Sequence, residues 1–298
     1  MNDAALPSPD HHRVSTGVPR LDKHLGGGLL PGTMTVVLGS TGIGKTQLGV
    51  HFSQQPDQLP GIIFDMSARG DGQNHAGYAR RMYHQDLAET RRDKVFSAAE
   101  IFNNQLEPGN YLHVFEDRGQ RVTKRDLDFD QWRDWQSQLN QKLQTSIGFF
   151  YSNLIRGCRR IVIDGIEPVG TSAESIQLNL LEYVYQQVLK KHPEWLARDL
   201  FRQEFSKVRS DVIAHLYQPQ NVACQVLWTS REMMLDDLIA RQIDEGDILS
   251  NANTIILMGK TREEGRMGRS LYIAKHRGSQ CSDEVIPFRI DDSGIVLI

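Results

Sequence analysis

Residues 34–46 read Met-Thr-Val-Val-Leu-Gly-Ser-Thr-Gly-Ile-Gly-Lys-Thr. Met34 to Leu38 is a short apolar, β-branched run, the pattern of a buried strand. Gly39-Ser40-Thr41-Gly42-Ile43-Gly44-Lys45-Thr46 then fills every position of G-x-x-x-x-G-K-[ST]. The motif stands after a strand and before a helix predicted over 46–52, where its mechanism needs it. Glycines let the backbone wrap a phosphate at dihedrals other residues resist, and the helix N-terminus offers unpaired amides and partial positive charge. Lys45 is placed to reach β- and γ-phosphates, and the Thr46 hydroxyl to hold Mg²⁺. The expected ligands are therefore ATP or ADP with Mg²⁺.

Outward from this loop, strands are expected at 62–65, 111–115, 160–164 and 222–228, and at 254–258, 270–274 and 285–290 near the carboxyl end. Helices are expected over 78–102, 132–154, 173–189 and 194–216, and a polar glycine-rich loop over 68–77. Alternating strands and helices argue a mainly parallel sheet with helices on both faces. The last strands read as an antiparallel extension, and the long helical stretches as insertions with room for a partner or oligomer surface. Residues 1–14 read as a flexible lead-in and 15–298 as a single domain without an internal repeat.

A metal-holding aspartate is needed at the end of a neighbouring buried strand. Asp164, after Ile161-Val162-Ile163, fits, and Asp65 also ends an apolar run. Candidates for orienting the attacking water are Asp65, Glu167 and Glu232, since a carboxylate can polarise water in line with the γ-phosphate.

Composition narrows the function. The 298 residues are 39% hydrophobic and 24% charged, enough apolar material for a core. A net charge of -3 disfavours a general polyanion binder. Cys158, Cys224 and Cys281 are odd in number and widely spaced, which argues against a disulfide framework or a zinc site. His11-His12 is too short for a metal tract. The N-terminus lacks a basic start with an apolar run, and no apolar run is long enough to span a bilayer. The expectation is a cytoplasmic protein with reduced thiols and no membrane partner.

Ser15-Thr-Gly-Val-Pro-Arg-Leu-Asp22, Leu25-Gly-Gly-Gly28, Pro31-Gly32 and the glycine loop together resemble the KaiC-type branch of the RecA-like ATPases. Asn253 to Gly259, the K-x-R-G run Lys275-His-Arg277-Gly278, Phe288-Arg-Ile and Gly294-Ile-Val extend the resemblance to the carboxyl end; residues 68–158 carry little of it. The resemblance implies a RecA-like P-loop NTPase fold with ATP between neighbouring subunits of a ring, usually six-membered. It implies that Lys275 and Arg277 face the γ-phosphate held by the next protomer, as an arginine finger does. Two apart on a strand, they are expected on one face.

The resemblance places the catalytic carboxylate after the second strand, commonly as adjacent glutamates. Asp65 aligns with one acid, whereas Met66 replaces the other, which argues slow hydrolysis. Thr229-Ser-Arg-Glu232 resembles the family's γ-phosphate sensor. The stretch 233–249, where recombinases carry a DNA loop, holds Asp236, Asp237, Asp244, Glu245 and Asp247 against Arg241 alone; it would repel phosphates. Three functions follow. The first is an ATP-hydrolysing regulatory protein acting on a partner through nucleotide-dependent assembly. The second is an ATP-binding switch or scaffold with negligible turnover, and the third a recombination or helicase accessory, which the acidity makes the least favoured.

Overall fold

A computed structural model describes residues 13–55, 60–67, 74–103, 107–115, 128–167, 176–241, 248–263 and 265–298. Among the described residues nine strands form one sheet: β1 (Met34–Gly39), β2 (Ile62–Asp65), β3 (Tyr111–His113), β4 (Arg160–Ile166), β5 (Ala223–Thr229), β6 (Thr254–Glu263), β7 (Arg266–His276), β8 (Ile286–Asp291) and β9 (Gly294–Leu297). Their order is β3-β2-β4-β5-β1-β6-β7-β8-β9. The pairs from β3 across to β6 are parallel, and β6 to β9 run antiparallel. The mainly parallel sheet with an antiparallel carboxyl-terminal extension is thus the expected one.

The central strands β1 and β4 are buried along their whole length, because helices cover both faces of a parallel sheet. Alternate side chains serve different cores. Val36, Leu38, Ile62 and Phe64 join one apolar cluster, with Phe149, Phe150 and Tyr151 from the long helix. Val37, Ile63, Val162 and Leu227 join the other, with Leu21, Leu48 and Phe52.

The helices are α1 (Pro19–His24), α2 (Lys45–Ser53), α3 (His75–Tyr83), α4 (Ala98–Phe102), α5 (Phe129–Leu154), α6 (Ile176–Tyr183), α7 (Pro193–Phe201), α8 (Phe205–Ala214), α9 (Leu235–Ala240) and α10 (Ile248–Asn251). The helix expected over 78–102 is instead two short ones. Between them Glu89 bridges to Tyr111 at the sheet edge, so tertiary pairing overrides local propensity. The loop expected over 68–77 already turns helical at His75; its residues 68–73 lie outside the described residues. The helix expected over 194–216 breaks at Arg202, whose φ is +47°. A π-helical turn, Val184–Lys190, continues α6.

Val14, at the end of the expected lead-in, exchanges backbone hydrogen bonds with Leu29. Arg13 donates to the carbonyls of Gly28 and Gly278. Residues 1–12 lie outside the described residues. Among the described residues, no helix is long and apolar enough to cross a membrane.

Candidate functional site

The glycine loop leaves the carboxyl end of β1, between β5 and β6. Crevices at such strand ends are where open parallel sheets bind ligands. Gly39 lies so close to β6 that an added Cβ would stand 2.4 Å from the Met258 carbonyl oxygen. Gly44 caps α2 at φ +124°, a conformation that a side chain resists. A Cβ there would also stand 2.9 Å from Cδ1 of Ile290 on β8. Thr41 and Gly42 at the crest are exposed, whereas Ile43 is anchored in the core.

Lys45 is buried, and its amine donates to the carbonyls of Gly39 and Ser40, each at 2.9 Å. Burial lowers its pKa to about 8, with the charges of Asp164 and Glu167 opposing that shift. One residue on, the Thr46 hydroxyl donates to Oδ2 of Asp164 at 2.9 Å across 118 positions of sequence. The contact lies where the register of β4 is irregular. Between Ile163 and Ile166 the β4–β5 register shifts, and a bulge can re-aim a side chain. Gly165 there has φ +82°, and its ideal Cβ would stand 2.2 Å from the Ser67 nitrogen. The Gly165 amide donates to Asp164 Oδ1 at 2.6 Å. Gln177 ties the neighbouring strand ends together, donating to the carbonyls of Met66 and Gly165.

Asp65 is the register partner of Asp164 on the adjacent strand. Its carboxylate accepts from the Ser67 amide at 2.8 Å and from the Tyr111 hydroxyl at 3.1 Å. Between the two aspartates lies His75, a residue that sequence reasoning missed. Its Nε2 is 2.9 Å from Asp164 Oδ2 and its Nδ1 is 3.5 Å from Asp65 Oδ2. Burial would lower the imidazole pKa, but the hydrogen bond to Asp164 and the charges of Asp164 and Asp65 raise it overall. The same pair acts in reverse on Asp164. Burial would raise its carboxyl, yet His75, the Gly165 amide and Thr46 hold it below the usual range. His75 sat in a stretch read as polar loop, where nothing but its residue type could have marked it.

The remaining candidates separate. Ser230 donates its amide to the Gly39 carbonyl at 2.9 Å, and its hydroxyl bonds the Glu232 carboxylate, which is held below its usual pKa chiefly by that bond. The polar segment after β5 therefore abuts the loop. Glu167 follows the end of β4, and its amide donates to Gln177 Oε1 at 3.4 Å.

Lys275 and Arg277 are elsewhere. Lys275 pairs with Ile255, and β6 in turn pairs with β1 so that Ile255 lies beside Val36. Three residues of strand at about 3.3 Å each, and two strand spacings of about 4.8 Å, separate it from Gly39. Its amine donates to the Ser250 carbonyl. Burial, and then the charge of Arg277, lower its pKa. The expected alternation on one strand face does not apply, because β7 ends at His276 and Arg277 lies beyond it, exposed.

The donor set fits a magnesium nucleotide. A hydroxyl and a carboxylate are hard oxygen ligands, and Mg²⁺ characteristically takes one or two protein groups beside substrate phosphates. Thr46 and Asp164 would hold it, and Lys45 with the loop amides would hold the phosphates. Sheet order, glycine loop and strand-end aspartate are together those of a RecA-like P-loop NTPase fold. Residues 14–63 match the family model described as the KaiC ATPase. A KaiC-like protein from the hyperthermophilic archaeon Pyrococcus horikoshii OT3 shares the fold, with a TM-score of 0.52 and 15% identity over 96% of this chain and 98% of that one. The family match covers the stretch around the glycine loop, and the structural likeness shows the fold. No curated protein matches the sequence.

Proposed function

We propose that this protein is a KaiC-like regulatory ATPase that binds ATP with Mg²⁺ at Gly39–Thr46 and acts through nucleotide-dependent assembly of copies of itself. The observation that carries the reading is the 2.9 Å bond from Thr46 to Asp164. It joins the phosphate-loop hydroxyl to the strand-end carboxylate, the pair that a nucleotide-bound Mg²⁺ needs. In this reading Lys45 leaves the loop carbonyls for the β- and γ-phosphates, and Asp65 orients the attacking water.

Assembly enters through Lys275 and Arg277. From their place near the other end of β1, a lysine or arginine side chain falls short of its own loop's phosphates. A phosphate they touch belongs to a neighbouring copy. They would then neutralise charge developing on its γ-phosphoryl group, in a ring that we take to be six-membered.

A slower variant of the reading has support in one position. Met66, standing where the family commonly has a second acid, is buried in the apolar core. Asp65 therefore works without a second acid beside it in the sequence, and a nucleotide-binding switch with little turnover is the second reading. The test of nucleotide binding itself is calorimetric titration of ATP and Mg²⁺ into the protein and its Lys45→Ala variant. Hydrogen bonds to a charged group are worth about 1.5–3 kcal/mol, so affinity should fall about 10- to 100-fold. Equal affinities would remove the phosphate-site assignment.

A further inference from the structure

Asp65 and Asp164 end adjacent strands as register partners, and both are buried. Two carboxylates so placed repel one another unless something positive or hydrogen-donating stands between them. His75 stands there, with its side chain 1% exposed. The backbone around it is shaped for the purpose. Asn74 adopts a left-handed φ of +50° immediately before α3 begins at His75. Gly77 leaves room for the Asn74 side chain, whose Oδ1 would stand 2.3 Å from a Cβ at that position. The ring also lies against Tyr111, with centroids 5.5 Å apart.

The acceptor positions on Asp164 are the deciding detail. Oδ2 accepts from both the Thr46 hydroxyl and His75 Nε2, each at 2.9 Å. Oδ1 is turned to the Gly165 amide. A carboxylate oxygen offers about two lone-pair sites, so Oδ2, the oxygen that faces Thr46, is saturated. We infer that His75 is a built-in competitor of the divalent cation: it occupies on Asp164 the acceptor position that a metal or its water shell would use, so metal loading requires the ring to release that oxygen. The inference rests on reading Thr46 and Asp164 as the metal pair. It adds that a residue of this chain holds the Asp164 oxygen that the metal or its water shell would use. Nδ1 fits this role, since among the described residues it makes no hydrogen bond and meets Asp65 Oδ2 only as a longer ion-pair contact at 3.5 Å. The ring is thus hydrogen-bonded through one nitrogen, Nε2.

The test uses the full chain, a fluorescent non-hydrolysable ATP analogue and a Mg²⁺ titration, so that turnover plays no part. Removing one charge-assisted hydrogen bond that opposes the metal should lower the Mg²⁺ midpoint for analogue binding about tenfold in His75→Ala. His75→Gln, which keeps an N–H donor, should fall between the variant and the wild type. Without nucleotide, in EDTA, His75→Ala should melt below the wild type, because Asp65 and Asp164 then lose the donor that stands between them. Mg²⁺ with the analogue should narrow that gap. A midpoint in His75→Ala that is unchanged or raised overturns the inference, since the ring would then be packing or would be positioning Asp164 for the metal. If His75→Ala does not fold, His75→Gln decides alone, and a midpoint no lower than wild type overturns it. A wild-type protein that binds no analogue at any Mg²⁺ concentration overturns the nucleotide reading itself, and this inference with it. Wild-type binding with unshifted variants removes only the role of His75.

Discussion

Acidification should destabilise this protein through His51, a residue that joins three elements beside the phosphate loop. His51 lies on α2, the helix that Lys45 opens. Its Nε2 accepts the Ile295 amide of β9 at 3.0 Å, so the proton sits on Nδ1, which donates to the Tyr83 hydroxyl of α3 at 2.7 Å. Burial lowers its pKa from 6.5 to about 4, against a smaller opposing effect of Asp291. Protonating Nε2 would sacrifice the bond to β9 and place a charge where solvent is excluded. The folded pKa lies below the unfolded one, so the unfolded chain binds more protons between those values. Stability is therefore full above about 6.5, declines as pH falls, and reaches its full loss below about 4. The gap corresponds to about 3 kcal/mol at about 1.4 kcal/mol per pH unit. About 2 kcal/mol of that should be lost between about pH 8 and pH 5. Urea unfolding of wild type and His51→Gln at both pH values isolates the effect, because glutamine supplies an acceptor for Ile295 and a donor for Tyr83 but does not titrate. The wild type should lose about 2 kcal/mol more than the variant over that interval. Equal losses would refute the assignment of a neutral, desolvated His51.

Asp164→Asn should abolish most of the Mg²⁺-dependent gain in ATP affinity, whereas Asp65→Asn should leave affinity near wild type and cut turnover at least about 100-fold; calorimetry with and without Mg²⁺ and a phosphate-release assay rank the two, and the reverse ranking would exchange their roles. Mixing Lys45→Ala with Arg277→Ala subunits should restore activity that neither has alone, at interfaces pairing an intact loop with an intact finger. Native mass spectrometry must verify co-assembly, and verified mixed rings without activity would remove the trans assignment. A labelled single-stranded oligonucleotide should show no sub-micromolar binding by anisotropy at physiological salt, because the net charge is -3 and Asp236 and Asp237 are exposed on α9. Tight binding would revive the recombination reading.

The phosphate loop and the strands around it were legible from the sequence by itself, because their signals are local. A β-branched run, glycines at fixed offsets and a Lys-Thr pair specify strand, turn and helix start within 13 residues. The parallel sheet with an antiparallel end followed from the spacing of apolar runs. Asp164 could be named from the strand that precedes it. Its bond to Thr46 could not, since that depends on β4 lying two strands from β1 and on the bulge at Gly165. His75 was invisible for the same reason. Its partners, Asp65 and Asp164, are 10 and 89 positions away, and a lone histidine in a polar stretch carries no period. The break of residues 78–102 into two helices was likewise decided by the sheet edge, where Ala88 and Thr90 trade backbone bonds with Tyr111. Local sequence fixes which dihedrals a segment prefers; which buried carboxylate meets which donor is decided only when strands distant in the chain come into register.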